Sequence, residues 1–383
     1  MLDTTRIWAR LRQFGRSYFR LIHSARQAGL SPAEIKAALD AEPAAFPHQL
    51  AEGWQVCDFI LGQIAETLQS GEKAQIFHAK FKLRDPAHTK VIKGLSSEQL
   101  IEWLKANNYW AEVHDLTFKL LCRALSLDFL EFATEAVRTT IRGPLTVAIA
   151  LLRKPLKENL FYLEWILADP EDFFERFYGG DVDGLALSKL SEERKLTIIR
   201  DSMAKTSCGE WIEPELIYEL RFEKKSNISL EPSWQKANHL ITTMGVLKTE
   251  RENFNFIFST PDARDTQWRG FYAIVPIILF HALQIVETMI SQFAKRATAT
   301  VDLVPLRTIA AMLLWMRSKG CVLDLRDVSK RFTLAVSSVI RAIKCPKCGK
   351  RCSTRQTNLK SLFEDASLIC FSCGETLKLS LDT

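Results

Sequence analysis

The chain has 383 residues, of which 47% are hydrophobic and 25% are charged, and it carries a net charge of +6 at pH 7. These values are ordinary for a globular protein with a sizeable core, and they exclude an intrinsically disordered chain. The charge is uneven, because residues 301–383 hold 14 Lys and Arg against 7 Asp and Glu, whereas residues 1–300 hold 37 against 38. This excess, with a second focus of arginines near the N-terminus, predicts a polyanionic partner.

Nine cysteines are present, and five of them lie in the last 40 residues. The other four are far apart in apolar or mixed surroundings, which favours buried thiols over a disulfide framework; they are Cys57, Cys122, Cys208 and Cys321. The first 30 residues contain no continuous apolar stretch of the kind found in signal peptides. The sequence therefore predicts a cytoplasmic protein.

Helical periodicity dominates the chain before residue 300. Apolar residues recur at three- and four-residue spacing over 5–28, 111–137, 143–153 and 156–168. Ser96 and Gln99 have the spacing of a capping box, which predicts a helix that begins there. Pro155 is expected to end the helix over 143–153, since proline has no N–H to donate.

Three further segments of this body give different signals. The sequence GGDVDG at 179–184 predicts a plain turn, and the alternation in 253–259 predicts a short strand. The apolar stretch 272–290 is long enough to span a membrane, but it contains His281, Gln284 and Glu287. A glutamate in mid-membrane would be costly, so a buried core helix is expected and no membrane association is predicted.

The strongest motif lies at the C-terminal end. Cys345-Pro-Lys-Cys348-Gly and Cys370-Phe-Ser-Cys373-Gly are matching loops separated by 21 residues. In each loop the glycine allows a left-handed turn that brings both sulfurs to one ion. The sequence thus predicts one structural Zn²⁺ bound by four thiolates, in a module that resembles a zinc ribbon and cannot fold without the metal. Cys352 is interpreted as a spare thiol.

Residues 325–343 resemble the helix-turn-helix of bacterial repressors of the lactose-repressor type. The resemblance rests on apolar and small residues at matching places, namely Leu325, Val328, Ser329, Phe332, Leu334, Val339 and Ile343. It departs from the family at the turn, where Thr333 replaces the usual glycine. An apolar helix over 306–318 would support this unit. The resemblance implies that the second helix, about 335–344, enters the major groove of DNA.

The resemblance and the basic module together imply a set of nucleic-acid contacts. In the helix-turn-helix these residues are Arg326, Lys330, Arg331, Ser337, Ser338, Arg341 and Lys344; in the zinc module they are Lys347, Lys350, Arg351 and Arg355. Duplex DNA is favoured over RNA as the partner, and such readers are often homodimers.

The sequence as a whole predicts a mainly α-helical, DNA-binding zinc protein with a regulatory or accessory role. Its expected parts are a helical body over 1–300, with a possible break near 180, a helix-turn-helix over 301–344 and a zinc ribbon over 345–383. Two alternatives stay open: a scaffold whose zinc ribbon docks on a partner protein, and an all-α RNase resembling the HEPN class. The RNase hypothesis depends only on the spacing of Arg16 and His23 and on the helical body. The sequence contains no recognised catalytic motif, so no catalytic residue is predicted.

Overall fold

The computed structural model describes residues 46–78, 83–85, 87–243, 248–249, 255, 261–294 and 298–379. The protein is mainly α-helical, as the sequence predicts. The helices are α1 (Ala51–Lys73), α2 (His88–Ile92), α3 (Ser97–Ala106), α4 (Trp110–Arg142), α5 (Leu145–Arg153), α6 (Leu160–Ala168), α7 (Pro170–Gly179), α8 (Val182–Leu185), α9 (Glu192–Ala204), α10 (Pro214–Phe222), α11 (Glu231–Asn238), α12 (Pro261–Ser291), α13 (Thr298–Met316), α14 (Arg326–Ala342) and α15 (Gln356–Asp365). Strands β1 (Ser367–Ile369) and β2 (Thr376–Lys378) form an antiparallel pair.

Helix α12 lies at the centre of the body. It is long and apolar enough to cross a membrane, yet 89% of its most apolar 18-residue window is buried within the protein. Helices α1, α4 and α6 pack against it. A Cβ atom at Gly53 of α1 would lie only 3.1 Å from Cβ of Tyr272, so glycine allows this close approach. The stretch 272–290 is therefore part of a core helix, as expected.

A proline inside α12 leaves one backbone acceptor without its usual donor. Pro276 cannot donate to the carbonyl of Tyr272, which is four residues earlier. The indole N–H of Trp315 in α13 donates to that carbonyl instead, at 3.0 Å. Both Trp315 and Tyr272 are fully buried, so α13 completes the hydrogen bonding of the central helix.

The expectation that Pro155 ends a helix was wrong. Residues Lys154–Asn159 form a π-helical turn, and the chain stays helical from α5 through this turn into α6. The wider turn accommodates proline because the i→i−4 ladder is already interrupted there. Within this turn, the carbonyl of Leu156 accepts a 2.7 Å hydrogen bond from Nε of Arg221.

Three buried charged or polar side chains join helices α6, α10 and α12. Oε1 of Glu164 accepts from Nη1 of Arg221 at 2.5 Å and lies 2.6 Å from Nε2 of His281. All three side chains are fully buried. Burial alone would raise the pKa of Glu164, but the charge of Arg221 and the hydrogen bond with His281 bring that pKa below its ordinary value. The polar face of α12 therefore meets polar partners inside the body.

The prediction of two helices within 325–343 was wrong, because α14 runs without interruption from Arg326 to Ala342. This segment contains neither glycine nor proline. At the expected turn, the hydroxyl of Thr333 donates to the carbonyl of Ser329 at 2.7 Å, which is compatible with a continuing helix. Two of the apolar residues on which the resemblance rests are exposed, Leu334 at 72% and Val339 at 44%.

Helix α14 packs on the body through one face. Its buried residues are Phe332, Val336, Ser337 and Ile340. The ring of Phe332 lies 4.9 Å from that of Trp211 and 5.3 Å from that of Phe280 in α12. Of the α14 cations predicted to bind nucleic acid, Arg326, Lys330 and Arg341 are exposed, whereas Arg331 is half-buried.

Other expectations have mixed outcomes. The capping box of Ser96 and Gln99 is present at the start of α3. Within the predicted 179–184 turn, Gly180 ends α7 and Asp181 caps the short helix α8. The helix over 5–28, the RNase pair Arg16 and His23, and the strand over 253–259 lie outside the described residues, apart from Asn255.

Candidate metal centre and its surroundings

The two cysteine loops have the same backbone geometry. In the first, Gly349 donates to the carbonyl of Cys345 at 2.9 Å, and in the second, Gly374 donates to that of Cys370 at 2.8 Å. Both glycines have positive φ, 69° and 76°, which a residue with a Cβ adopts only at a cost. The matching motifs therefore fold into matching turns.

The four thiol sulfurs of these loops form one cluster. The atoms of Cys345, Cys348, Cys370 and Cys373 all lie within 4.8 Å of one another. The distance from Cys345 to Cys373 is 3.6 Å, and that from Cys348 to Cys370 is 3.5 Å. A tetrahedral ion with metal–sulfur bonds of about 2.3 Å would hold its sulfurs about 3.8 Å apart. The cluster therefore fits a single metal ion held between the loops.

The backbone favours thiolate at Cys370, whereas the pKa of Cys373 is raised because the lowering effect of the Glu375 N–H is outweighed by burial and the neighbouring thiols. The N–H groups of Ser372 and Cys373 lower the pKa of the Cys370 thiol to about 6. A metal ligand must be deprotonated, so such N–H groups prepare the sulfur for an ion. Four sulfurs complete a tetrahedron and leave no position for water or substrate, which is typical of a structural metal.

One buried side chain connects the two loops independently of a metal. Asn358 in α15 donates to the carbonyls of Ser353, after the first loop, and Ile369, before the second, at 2.8 and 3.1 Å. Its side-chain oxygen accepts from the N–H of Ile369 at 2.7 Å. Neither Asn358 nor helix α15 was predicted from the sequence.

Cys352 lies next to the cluster but outside it. The side chain is 3% exposed, and burial raises the pKa of its thiol. It packs with Leu359, Leu362 and Leu368 into the same hydrophobic core as the body helices. This agrees with its interpretation as a spare thiol.

The metal module is fixed to the body through the end of α15. The guanidinium of Arg307 in α13 donates to the carbonyl of Phe363 at 2.8 and 3.1 Å, and it also lies over the ring of Phe59 in α1. The rings of Phe59 and Phe363 make an edge contact at 5.2 Å. A cation at a helix C-terminus is favourable because the last carbonyls have no partner within the helix.

Four of the cations predicted to bind nucleic acid already have acidic partners in the protein. The pairs are Arg326 with Asp324 at 2.7 Å, Lys330 with Asp327 at 3.0 Å, Arg331 with Glu213 at 2.7 Å, and Lys347 with Glu375 at 3.1 Å. Of the two predicted serines, Ser337 is buried and Ser338 donates to the carbonyl of Ala335. These six residues are therefore less available than the sequence suggested.

The other five predicted cations are exposed, and none forms an ion pair with a carboxylate of the described residues; they are Arg341, Lys344, Lys350, Arg351 and Arg355. Lys344 and Arg351 are partners in an antiparallel bridge that flanks the first cysteine loop. Arg341 precedes this hairpin at the end of α14, and Arg355 follows it. We call these five residues the basic surface.

An exposed aromatic residue was missed by the sequence analysis. Phe371 lies between two ligands in the second cysteine loop and is 43% exposed. The guanidinium carbon of Arg355 lies 4.6 Å from the centre of its ring. Its position in the sequence could have revealed this exposure, because a residue within a four-residue metal loop has little protein around it to pack against.

A cleft of about 510 Å³ lies on the body, between α4, α7 and the end of α12; it is lined by His114, Asp115, Phe118, Pro170, Glu171, Phe174, Gln292 and Phe293. The His114 ring makes edge contacts with the rings of Phe174 and Tyr178. Asp115 pairs with Lys119 at 2.8 Å. The cleft is formed by elements other than those that carry the cysteine cluster.

Comparison with known proteins gives no further guide. No family model, no curated protein and no solved structure matches this chain. The chemistry of the cysteine cluster and of the basic surface is therefore the basis for assigning function.

Proposed function

We propose that this protein binds nucleic acid through a C-terminal module ordered by one Zn²⁺ ion. Zinc suits the site because it accepts four thiolates in a tetrahedron and has no redox chemistry. A multinuclear iron–sulfur cluster would need its cysteines farther apart than the 4.8 Å limit found here. Metal analysis of the purified protein tests the identity of the ion: one zinc per chain is expected, and iron would give visible colour.

The observation that carries the proposal is the pairing of Lys344 with Arg351. Like charges directly opposite each other in an antiparallel pair destabilise it. Neither side chain forms an ion pair with a carboxylate of the described residues, and Arg341, Lys350 and Arg355 add charge of the same sign. A polyanion bound across the hairpin would attract both side chains and so offset the repulsion between them.

Nucleic acid is the polyanion that best fits these cations. Its phosphates repeat along the strand, so one ligand can contact several members of the basic surface together. Guanidinium groups such as those of Arg351 and Arg355 form paired hydrogen bonds with phosphate oxygens. The metal would hold the hairpin rigid, so that the cations are positioned before the ligand binds.

Paired substitutions test this proposal. The variant Lys344→Gln/Arg351→Gln removes two unpaired cations, whereas Arg326→Gln/Lys330→Gln removes two that have acidic partners. Both change the net charge equally. Deletion of residues 301–383 is a poor test, because α13 contributes Trp315 and other buried residues to the body core.

Binding to labelled oligonucleotides, single-stranded and duplex, would be followed by fluorescence anisotropy across a salt series. We expect Lys344→Gln/Arg351→Gln to weaken binding and to reduce the slope of log K against log salt by about 1.5, as for two lost phosphate contacts. The control pair should stay close to wild type. Equal effects of the two variants would contradict the proposal.

Docking of a partner protein is a second candidate, which the exposed apolar side chains of α14 favour. Leu334 is 72% exposed and Val339 is 44% exposed. Such side chains are often buried at interfaces with other proteins. In that case Leu334→Ser would release a co-purifying partner, and the wild-type protein would show no salt-dependent nucleic-acid binding.

A further inference from the structure

Phe371 is exposed to about the same degree as Trp110 and Phe177 of the body, but it alone of these three lies within a cysteine loop. Other large aromatic side chains of the body, such as Trp165 and Trp268, are buried in the core. Phe371 instead lies at the tip of the second cysteine loop with 43% of its surface exposed. The cysteines on either side of it belong to the sulfur cluster, so a bound metal ion would fix the loop that presents the ring to solvent.

Arg355 adds a planar cation to this aromatic surface. Its guanidinium carbon is 4.6 Å from the centre of the Phe371 ring, and its charge has no carboxylate partner among the described residues. The two cysteine loops are adjacent, since sulfurs of opposite loops are 3.5 and 3.6 Å apart. Phe371 therefore belongs to the same small module as Lys344 and Arg351.

We infer that Phe371 and Arg355 form a stacking platform for an unpaired base, so that the ligand of this module is single-stranded nucleic acid. This inference rests on the proposed function. Exposed aromatic rings and arginine planes stack on bases in single strands, while neighbouring cations follow the phosphates. A base inside a duplex has both faces covered by its neighbours and offers none to Phe371.

The structure of α14 also favours a single-stranded ligand over a duplex. Reading of duplex DNA in the major groove was predicted from two helices joined by a tight turn, and α14 is one helix. Its N-terminal cations, Arg326 and Lys330, are paired with Asp324 and Asp327. The unpaired cations of the basic surface lie instead at the C-terminal end of α14 and around the first cysteine loop, next to the loop that carries Phe371.

The test uses the full-length, metal-loaded protein and four labelled probes of the same length. They are a single-stranded RNA, the single-stranded DNA of the same sequence, its duplex, and an abasic single strand that keeps the phosphates but lacks bases. The variants are Phe371→Leu, Phe371→Tyr and the control Phe177→Leu, which alters a phenylalanine of α7 that is 40% exposed. Metal content is measured for each variant.

We expect wild-type protein to bind both single strands more tightly than the duplex. Phe371→Leu should raise Kd for the single strands by about 5- to 100-fold, the loss of one stacked base, and should leave binding of the abasic strand unchanged. Phe371→Tyr should recover binding relative to Phe371→Leu, and Phe177→Leu should match wild type. The ratio of the RNA and DNA affinities then identifies the favoured sugar.

The outcomes separate the two proposals. Salt-dependent wild-type binding that favours the duplex, or that Phe371→Leu leaves unaltered on every probe, would overturn the stacking platform and leave the proposed function standing. Absence of wild-type binding to all four probes would overturn both. If Phe371→Leu fails to retain metal, ultraviolet cross-linking of wild-type protein to the single strand decides. A cross-link at Phe371 supports the platform, and cross-links confined to other regions overturn it.

Discussion

At the scale of single residues, the body depends on side chains that satisfy buried backbone groups. Trp315 donates to the Tyr272 carbonyl that Pro276 leaves without a helical partner. Trp234 is equally buried, but its indole N–H has no hydrogen-bond partner among the described residues. Comparing these two tryptophans separates the contribution of one hydrogen bond to the free energy of unfolding from the contribution of the buried side-chain volume.

We therefore predict that Trp315→Phe destabilises the protein more than Trp234→Phe does. Both variants remove the same atoms from the core, but only the first leaves a buried carbonyl unsatisfied, which costs about 1–3 kcal/mol. Urea unfolding of the two variants measures the difference. Equal free energies of unfolding would show that the Trp315 hydrogen bond contributes nothing net.

Asn358 has a comparable role in the metal module. Its amide makes three hydrogen bonds that position the segments next to both cysteine loops. Asn358→Asp keeps the acceptor oxygen but loses both donated bonds and buries a charge. We expect metal affinity to fall roughly 10- to 100-fold, as for other residues that orient metal ligands.

Competition with a chromophoric chelator measures this effect. Asn107→Asp is the control, since the side chain of Asn107 makes one hydrogen bond at the end of α3, an element that does not carry the cysteines. If both variants hold the metal equally, Asn358 does not position the site.

At the scale of secondary-structure elements, the buried Glu164 links three helices. Glu164→Gln would leave the Arg221 charge buried without a full countercharge, and we expect a loss of about 3–5 kcal/mol in stability. The control Glu135→Gln alters an exposed pair with Arg138, for which little effect is expected.

This prediction has a defined pH dependence. The pKa of Glu164 is lowered in the folded state, so its stabilisation is present above the unfolded pKa and is lost as pH falls through the folded pKa. The stability difference between wild type and Glu164→Gln should therefore be constant near neutral pH and shrink below about pH 4. A difference that grows on acidification would contradict the assigned ion pair.

Features that depend on interactions between residues close together in the sequence were predicted correctly, and features that depend on contacts between distant segments were missed. The four cysteines could be predicted because each loop is set by bonds within five residues, and the start of α3 is likewise local to Ser96 and Gln99. The prediction of a turn near Thr333 was wrong because the apolar pattern of two short helices also fits one long helix. Asn358 and Phe371 depend on contacts between separate segments, which the sequence alone does not reveal.

At the scale of the whole molecule, the cysteine cluster and the body share one continuous core. Leu359 and Leu362 of α15 belong to the same hydrophobic cluster as the body helices, and Arg307 caps the end of α15. The positive charge of the C-terminal region is thus displayed on a module that is fixed against a nearly neutral body. A metal ion bound by the four thiols would therefore be a structural support for the basic surface.

The most direct test of this account compares nucleic-acid binding with and without the metal. Anisotropy of a labelled single strand would be measured with metal-loaded protein, with chelator-treated protein and after Zn²⁺ is restored. We predict that removal of the metal weakens binding, reduces its salt dependence and leaves most of the helical circular dichroism, and that Zn²⁺ restores the affinity. Equally tight binding by the metal-free protein, with the same salt slope, would contradict the claim that a metal-ordered module binds nucleic acid.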